Sequence, residues 1–279
     1  MKKKAIQNLL DLISIEGSTG REKLVAEYIK KKLIIAGCKR NWIRHDDAHK
    51  RLNMGFEIGN LIVQIPGTVK APRIMFSAHM DTVPLCRGAK PLIKGNRIIA
   101  KGKTGLGGDD RSGCAAILTL AETLLSKETQ RPPITLLFPI AEENGLHGSR
   151  MVRFNDLGNP AMGFNLDGQE PNEIVIGAMS AARWQANIIG ISSHAGLEPQ
   201  KGVSAGLIAA KAISAISNKG YFGKIKKGNK HGTSNIGSIN GGEASNQVMD
   251  HLIISGECRS HNQSFLEQII RMHQKEFNH

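Results

Sequence analysis

"RIMFSAHMDTVP", residues 73–84, sets an apolar strand directly before a histidine and an aspartate two positions apart, then a Val-Pro break. Alternate side chains of an extended chain share a face, so His79 and Asp81 leave the strand end together. Such a pair has two readings. The commoner one is a solvated or hydrogen-bonded surface group; the other is a metal ligand with the carboxylate that orients it. The choice depends on whether other segments end the same way.

Several do. "ITLLFPI" (134–140) runs into "AEENG" (141–145), "AMGFNLDG" (161–168) ends on Asp167, and "GGDDRSG" (107–113) opens an apolar helix over 109–126. "LIVQI" (61–65) is a further strand, stopped by Pro66-Gly67, and "PLIKGNRIIAKG" (91–102) predicts a hairpin turning at Gly95-Asn96. Ile6, Leu9, Leu10 and Ile13 predict an amphipathic first helix. Ser18–Ala36 predicts a second, capped by Ser18, with Leu24, Val25, Tyr28 and Leu33 on one face. Strands alternating with helices predict an α/β fold with a largely parallel mixed sheet. In such sheets the carboxyl ends of the strands line the ligand crevice.

Beyond about residue 177 the pattern changes. "ARWQANIIGIS" alternates as a half-exposed strand, "VSAGLIAAKAISAIS" is helical, "TSNIGSI" and "HLIISGECRS" are strands, and "SFLEQIIRMHQKEF" closes as a helix. This β-α-β-β-α order predicts a small antiparallel sheet with helices on one side. With 279 residues to distribute, the expected division is 1–177 and 178–279.

Composition removes several classes. The net charge of +13, from 37 basic and 24 acidic residues, raises nucleic acid as a partner. The lysines, however, fall in short groups at 30–32 and 224–230 with no nucleic-acid motif, as on a solvated face. The opening "MKKK" precedes an apolar run broken by Gln7, Asn8 and Asp11, so neither a signal peptide nor a membrane span is expected. Cys38, Cys86, Cys114 and Cys258 form no C-x-x-C pair and read as reduced thiols of a cytoplasmic protein.

If His79, Asp81, Asp109, Asp110, Glu142, Glu143 and Asp167 converge, mutual repulsion costs several kcal/mol unless cations offset it. A histidine-carboxylate set without thiolate suits zinc, cobalt or manganese. A carboxylate such as Asp109 can bridge two ions about 3.5–4 Å apart. Adjacent Glu142 and Glu143 point opposite ways in extended chain, leaving one free as a base. Taken singly, "GGDD" is a helix cap, "EENG" a surface turn and "LDG" a strand exit. Their succession, each beside an apolar run, is what argues for a site.

"SAHMDTVP", "GLGGDDRSG", "AEENGLHGS" and "NLDG" together resemble the metal-site motifs of peptidase T-like aminotripeptidases, within the two-zinc aminoacylase and glutamate carboxypeptidase superfamily. The resemblance implies a zinc-exopeptidase-like catalytic domain and a lid or dimerisation domain. It further implies His79 and Asp167 on a first ion, Asp109 bridging, Glu143 on a second, Asp81 behind His79, and Glu142 as general base beside a metal-bridging hydroxide. "SSHAGLEPQKGVSA" is similar to the lid motif in which His194 stabilises the oxyanion, in some relatives from the partner subunit. "ASNQVMDHLIISGECRSH" resembles the segment whose Asn246 and Arg259 hold the substrate's terminal carboxylate.

In relatives the chain returns from the lid to the catalytic domain and brings a last histidine to the second ion. This sequence stops at "RMHQKEFNH". The expectation is therefore an incomplete second site: His273 and His279 are available imidazoles, but both lie in or just after the last helix and neither is expected to replace the missing ligand. The implied function is cleavage of short peptides by a metallo-aminopeptidase, as a homodimer paired through the lid. An amidohydrolase of N-acyl amino acids and a non-catalytic metal-binding remnant stay open as alternatives.

Overall fold

Apolar runs of four or five residues become the strands of a five-stranded sheet because both of its faces are covered at the centre. The computed structural model describes all residues except Met1, Lys127, Glu128, Gln169, Pro171 and His279. It contains two compact units, Met1–Glu173 and Ile174–His279.

The first unit runs α1 (Lys2–Ser14), α2 (Lys23–Ile35), β1 (Ile43–His45), α3 (Ala48–Leu52), β2 (Leu61–Ile65) and β3 (Ile74–Ser77). It continues with the hairpin β4 (Pro91–Lys94) and β5 (Arg97–Ala100), α4 (Gly108–Leu125), β6 (Ile134–Phe138), α5 (His147–Arg150) and β7 (Met162–Asn165). The sheet order is β1-β2-β6-β3-β7. β6, β3 and β7 are mutually parallel, and β2 runs antiparallel between β1 and β6, so four strands share one direction. The core joins Leu12 of α1, Val25, Ile29 and Leu33 of α2, and Ile117 and Leu118 of α4 to Val63, Leu136 and Phe138 of the sheet. Each such side chain contributes about 1.5–3 kcal/mol on burial.

The second helix is shorter than its periodicity predicts. It begins at Lys23, and Ser18 is not its cap: Ser18 forms a bridge with Thr82, whose N–H donates to the Gly17 carbonyl at 3.1 Å. The residues before α2 are thereby tied to the loop after β3. Leu24 faces solvent, while Val25, Ala26, Ile29 and Leu33 take the core face.

The second unit runs β8 (Ser180–Ile189), α6 (Ala205–Asn218), β9 (Gly223–Lys227), β10 (Lys230–Gly241), β11 (His251–Ser260) and α7 (Gln263–Phe277). Its sheet, ordered β8-β11-β10-β9, is antiparallel throughout. β9 is an addition to the expected order: "GKIKK" buries only Ile225, and pairing with β10 rather than an apolar pattern makes it a strand. Ser204 and Asn262 cap α6 and α7, accepting from the Leu207 and Phe265 N–H groups at 3.2 and 2.9 Å. Among the described residues no helix is long and apolar enough to cross a membrane.

Candidate metal centre

Three adjacent parallel strands, β6, β3 and β7, end at the same edge of the sheet. Their exits therefore carry Glu142 and Glu143, His79 and Asp81, and Asp167 to neighbouring positions. Asp109 arrives from the start of α4, where Gly107 adopts φ +76° and Asp109 and Asp110 depart from helical geometry across a cis peptide bond. Asp110 turns inward and accepts the Gly113 N–H at 3.0 Å, serving the helix start while Asp109 stays exposed.

His79 is the buried centre of the group, 3% exposed. Its Nδ1 lies 3.2 Å from Asp81 Oδ1, which fixes the ring and leaves Nε2 for a ligand. Nε2 lies 3.0 Å from Asp109 Oδ1, 3.8 Å from Glu142 Oε2 and 3.9 Å from Asp167 Oδ2. Ligand atoms of His79, Asp109 and Asp167 all fall within 4.8 Å of one another. One imidazole nitrogen and two carboxylate oxygens at that spacing suit a divalent ion with ligand bonds of about 2 Å. After burial itself, the Asp109 carboxylate is the charge that raises Glu143 most.

The electrostatics show the cost of gathering these groups. Burial pulls the His79 imidazole down, yet Asp81, Asp109 and Asp110 overcome it and lift its pKa to about 10. Burial, reinforced by neighbouring carboxylates, pushes Glu142, Glu143 and Asp167 upward, and Asp110 up to about 7. For Asp81 burial acts in the same direction but is outweighed. His79, the Glu142 N–H at 3.0 Å and the Thr19 hydroxyl at 2.7 Å hold its carboxyl below the ordinary range. A divalent cation answers all of the raised groups at once.

Three residues that the sequence reading did not single out support the site. Thr19 donates to Asp81. Glu22, fully buried, accepts the Gly20 and Ala141 N–H groups at 2.9 and 3.0 Å, and burial raises its pKa to about 7. Asn60, also fully buried, accepts the Ile140 N–H at 3.0 Å. In sequence, Glu22 looks like an ordinary first-turn acid after a Ser-Thr-Gly turn, and Asn60 like the polar residue before a strand.

In the second unit, His194 Nδ1 accepts from the Gly196 and Leu197 N–H groups, both at 3.2 Å, so the proton resides on Nε2. His194 bridges to Gln247, and the Ala195 N–H donates to Asn246. Arg259 is elsewhere. It sits near the far end of β11, opposite Ala181, and donates Nε and Nη2 to Glu257 at 2.8 and 3.1 Å. His251 to Arg259 spans eight residues of strand, about 27 Å. Asn246 and Arg259 of one chain are therefore not brought to one carboxylate, a departure from the expectation, because the length of β11 lies between them. His273 is buried in the core of the second unit, with Nε2 2.9 Å from Ser234 Oγ and 3.2 Å from the Tyr221 carbonyl. His279 lies outside the described residues.

The description "Peptidase family M28" matches residues 60–195, and "Peptidase dimerisation domain" matches 176–279. The structure is similar to aminopeptidase PepT from Bacillus cereus, with a TM-score of 0.90 and 32% identity, covering 99% of this chain and 71% of that one. A tripeptidase from Staphylococcus aureus gives 0.87 and 30%, with the same coverage. "Uncharacterized protein YqjE" of Bacillus subtilis is 32% identical over 260 residues, 93% of this chain and 67% of that protein.

Proposed function

Because the chain belongs to the peptidase T-like family of metallopeptidases, we propose that it releases the N-terminal residue from short peptides, tripeptides among them. The observation that carries this reading is His79 Nε2, within 4 Å of carboxylates from three other segments. His79, Asp109 and Asp167 would hold one divalent ion and Asp109 with Glu143 a second, zinc first, cobalt or manganese as substitutes. Bound zinc supplies Lewis acidity, polarising a peptide carbonyl and making nearby water easier to deprotonate.

The chain's own groups do the rest. Glu142, whose proton affinity is raised by burial and by Asp167, takes the proton of the attacking water and hands it to the leaving amine. Asp81 holds the His79 ring and the Glu142 and Glu143 amides in place. His194 carries its proton on Nε2, the form needed to donate to the oxyanion as the carbonyl becomes tetrahedral. Arg259 offers a paired donor edge for the substrate carboxylate, which would displace Glu257.

His194 and Asn246 lie at one end of the second unit's sheet and Arg259 at the other, which favours their serving two different substrate molecules. A homodimer would supply the missing halves, and the free edge of β8 is the surface we assign to it. Ile189 and, beyond it, Ile191 are exposed there.

The test is Glu142→Ala assayed with tripeptides, dipeptides and N-acyl amino acids, with zinc content measured alongside. Retained zinc and a loss of turnover of about 10²–10⁴-fold are expected. Unchanged turnover removes Glu142 from the mechanism, and preference for acyl amino acids replaces the peptidase reading with an amidohydrolase.

A further inference from the structure

Four consecutive amides leave β6, and each donates to a buried side chain. Ile140 N–H goes to Asn60 Oδ1 at 3.0 Å, Ala141 N–H to Glu22 Oε1 at 3.0 Å, Glu142 N–H to Asp81 Oδ1 at 3.0 Å and Glu143 N–H to Asp81 Oδ2 at 3.3 Å. All three acceptor residues are 0% exposed. Ala141, in the middle, has φ +51°, a conformation a non-glycine residue adopts only when its surroundings impose it.

The Glu22 contact differs from the other two. Asp81 and Asn60 belong to the strands on either side, or next to them, whereas Glu22 reaches across from the segment before α2. That segment is itself anchored. Arg111, 1% exposed, donates to the Leu12 and Gly17 carbonyls at 3.0 and 3.1 Å, Gly17 accepts from Thr82, and Thr19 donates to Asp81. Glu22 Oε1 accepts the Gly20 and Ala141 N–H groups together, so one oxygen clamps the anchored segment to the turn. A fully buried carboxylate with its second oxygen unpartnered is an expensive way to fill space.

We propose that Glu22 is a positioning residue for the reaction: it fixes the left-handed turn at Ala141 so that Glu142 and Glu143 leave it in different directions. The proposal rests on the reading of Glu142 as base and Glu143 as ligand. Without the clamp, the Ala141 N–H loses its acceptor and the turn relaxes toward extended backbone. Both glutamates then move relative to His79 and Asp109.

The test uses the full chain, stripped of metal and titrated with zinc against a chromophoric chelator, with hydrogen exchange followed over 139–146. Glu22→Asp keeps the charge but loses one methylene of reach. Glu22→Gln keeps an acceptor oxygen at the same reach and loses the charge. For Glu22→Asp the expected results are zinc affinity lowered by about 10–100-fold and faster exchange at residues 141–143. Glu22→Gln is expected to stay within about threefold of the parent, the range of context effects on one contact. If both variants bind zinc as tightly as the parent, or if Gln falls as far as Asp, the positioning role is overturned. Melting temperatures that drop while affinity and exchange hold would reduce Glu22 to a stabilising contact. None of these readouts uses hydrolysis, so failure here is distinct from failure of the peptidase reading.

Discussion

At the scale of residues, the same chemical type takes opposite roles according to what surrounds it. Asp109 and Asp110 are neighbours, yet one faces the metal centre and the other caps a helix. The histidines divide likewise. His79 is held among carboxylates, whereas His273 is buried in the lid beside Trp184, ring centres 5.0 Å apart, with its pKa pushed down by burial. That gives a pH prediction. The unfolded histidine titrates near about 6.5, and the folded one below that. Between the two values the unfolded chain binds more protons, so lid stability is fully present above the unfolded pKa and falls as pH falls through that window. Denaturant unfolding of the parent and of His273→Gln should show the parent's relative advantage shrinking from pH 7.5 to 5.5. A constant difference would show that the ring does not titrate on unfolding. The candidate ligands were legible in the sequence because His79, Glu143 and Asp167 follow apolar runs and Asp109 precedes one. Glu22 and Asn60 were not, since burial of a polar residue is decided by what packs over it rather than by its neighbours in the chain.

At the scale of elements, legibility followed the strength of the period. β2, β6 and the β4–β5 turn were readable because apolar runs and a Gly-Asn dipeptide mark them locally. β9 was hidden because four of its five residues are lysine or glycine, and only its ladder with β10 makes it a strand. The start of α2 was misplaced because Ser18 mimics a cap while its backbone pairs with Thr82. Packing inside the lid depends on one small residue that no period reveals. A Cβ on Gly256 would come within 2.5 Å of the Trp184 ring and of the Asn235 carbonyl. Trp184 in turn packs on His273 and Phe277, at 5.0 and 5.6 Å between ring centres, and the Asn235 carbonyl is backbone that cannot swing aside. Gly256→Ala should therefore destabilise the lid by about 1–3 kcal/mol. Calorimetry reads this directly, and a neutral result would mean that β11 shifts freely against β8.

At the scale of the whole molecule, the two units pose different physical problems. The first concentrates like charges at the ends of three parallel strands and holds them with buried acceptors. The second is an antiparallel sheet with about 27 Å of strand between the end near His194 and the end at Arg259, and that length bears on assembly. If His194 and Arg259 acted on one substrate from one chain, a mixture of His194→Ala and Arg259→Ala proteins would stay inactive, because every chain would lack one group. If they act on different substrates within a pair, mixing creates dimers in which one site has both groups intact and the other has neither. Equal mixing with free subunit exchange makes half the pairs mixed, so activity should recover to about a quarter of the parent level. The same mixture with a charged residue at Ile189, on the β8 edge, should recover nothing if that edge is the interface. Recovery that is independent of Ile189 would place the pairing surface elsewhere. No recovery from freely exchanging pairs would return both groups to a single chain, which the length of β11 between them does not allow without remodelling the lid.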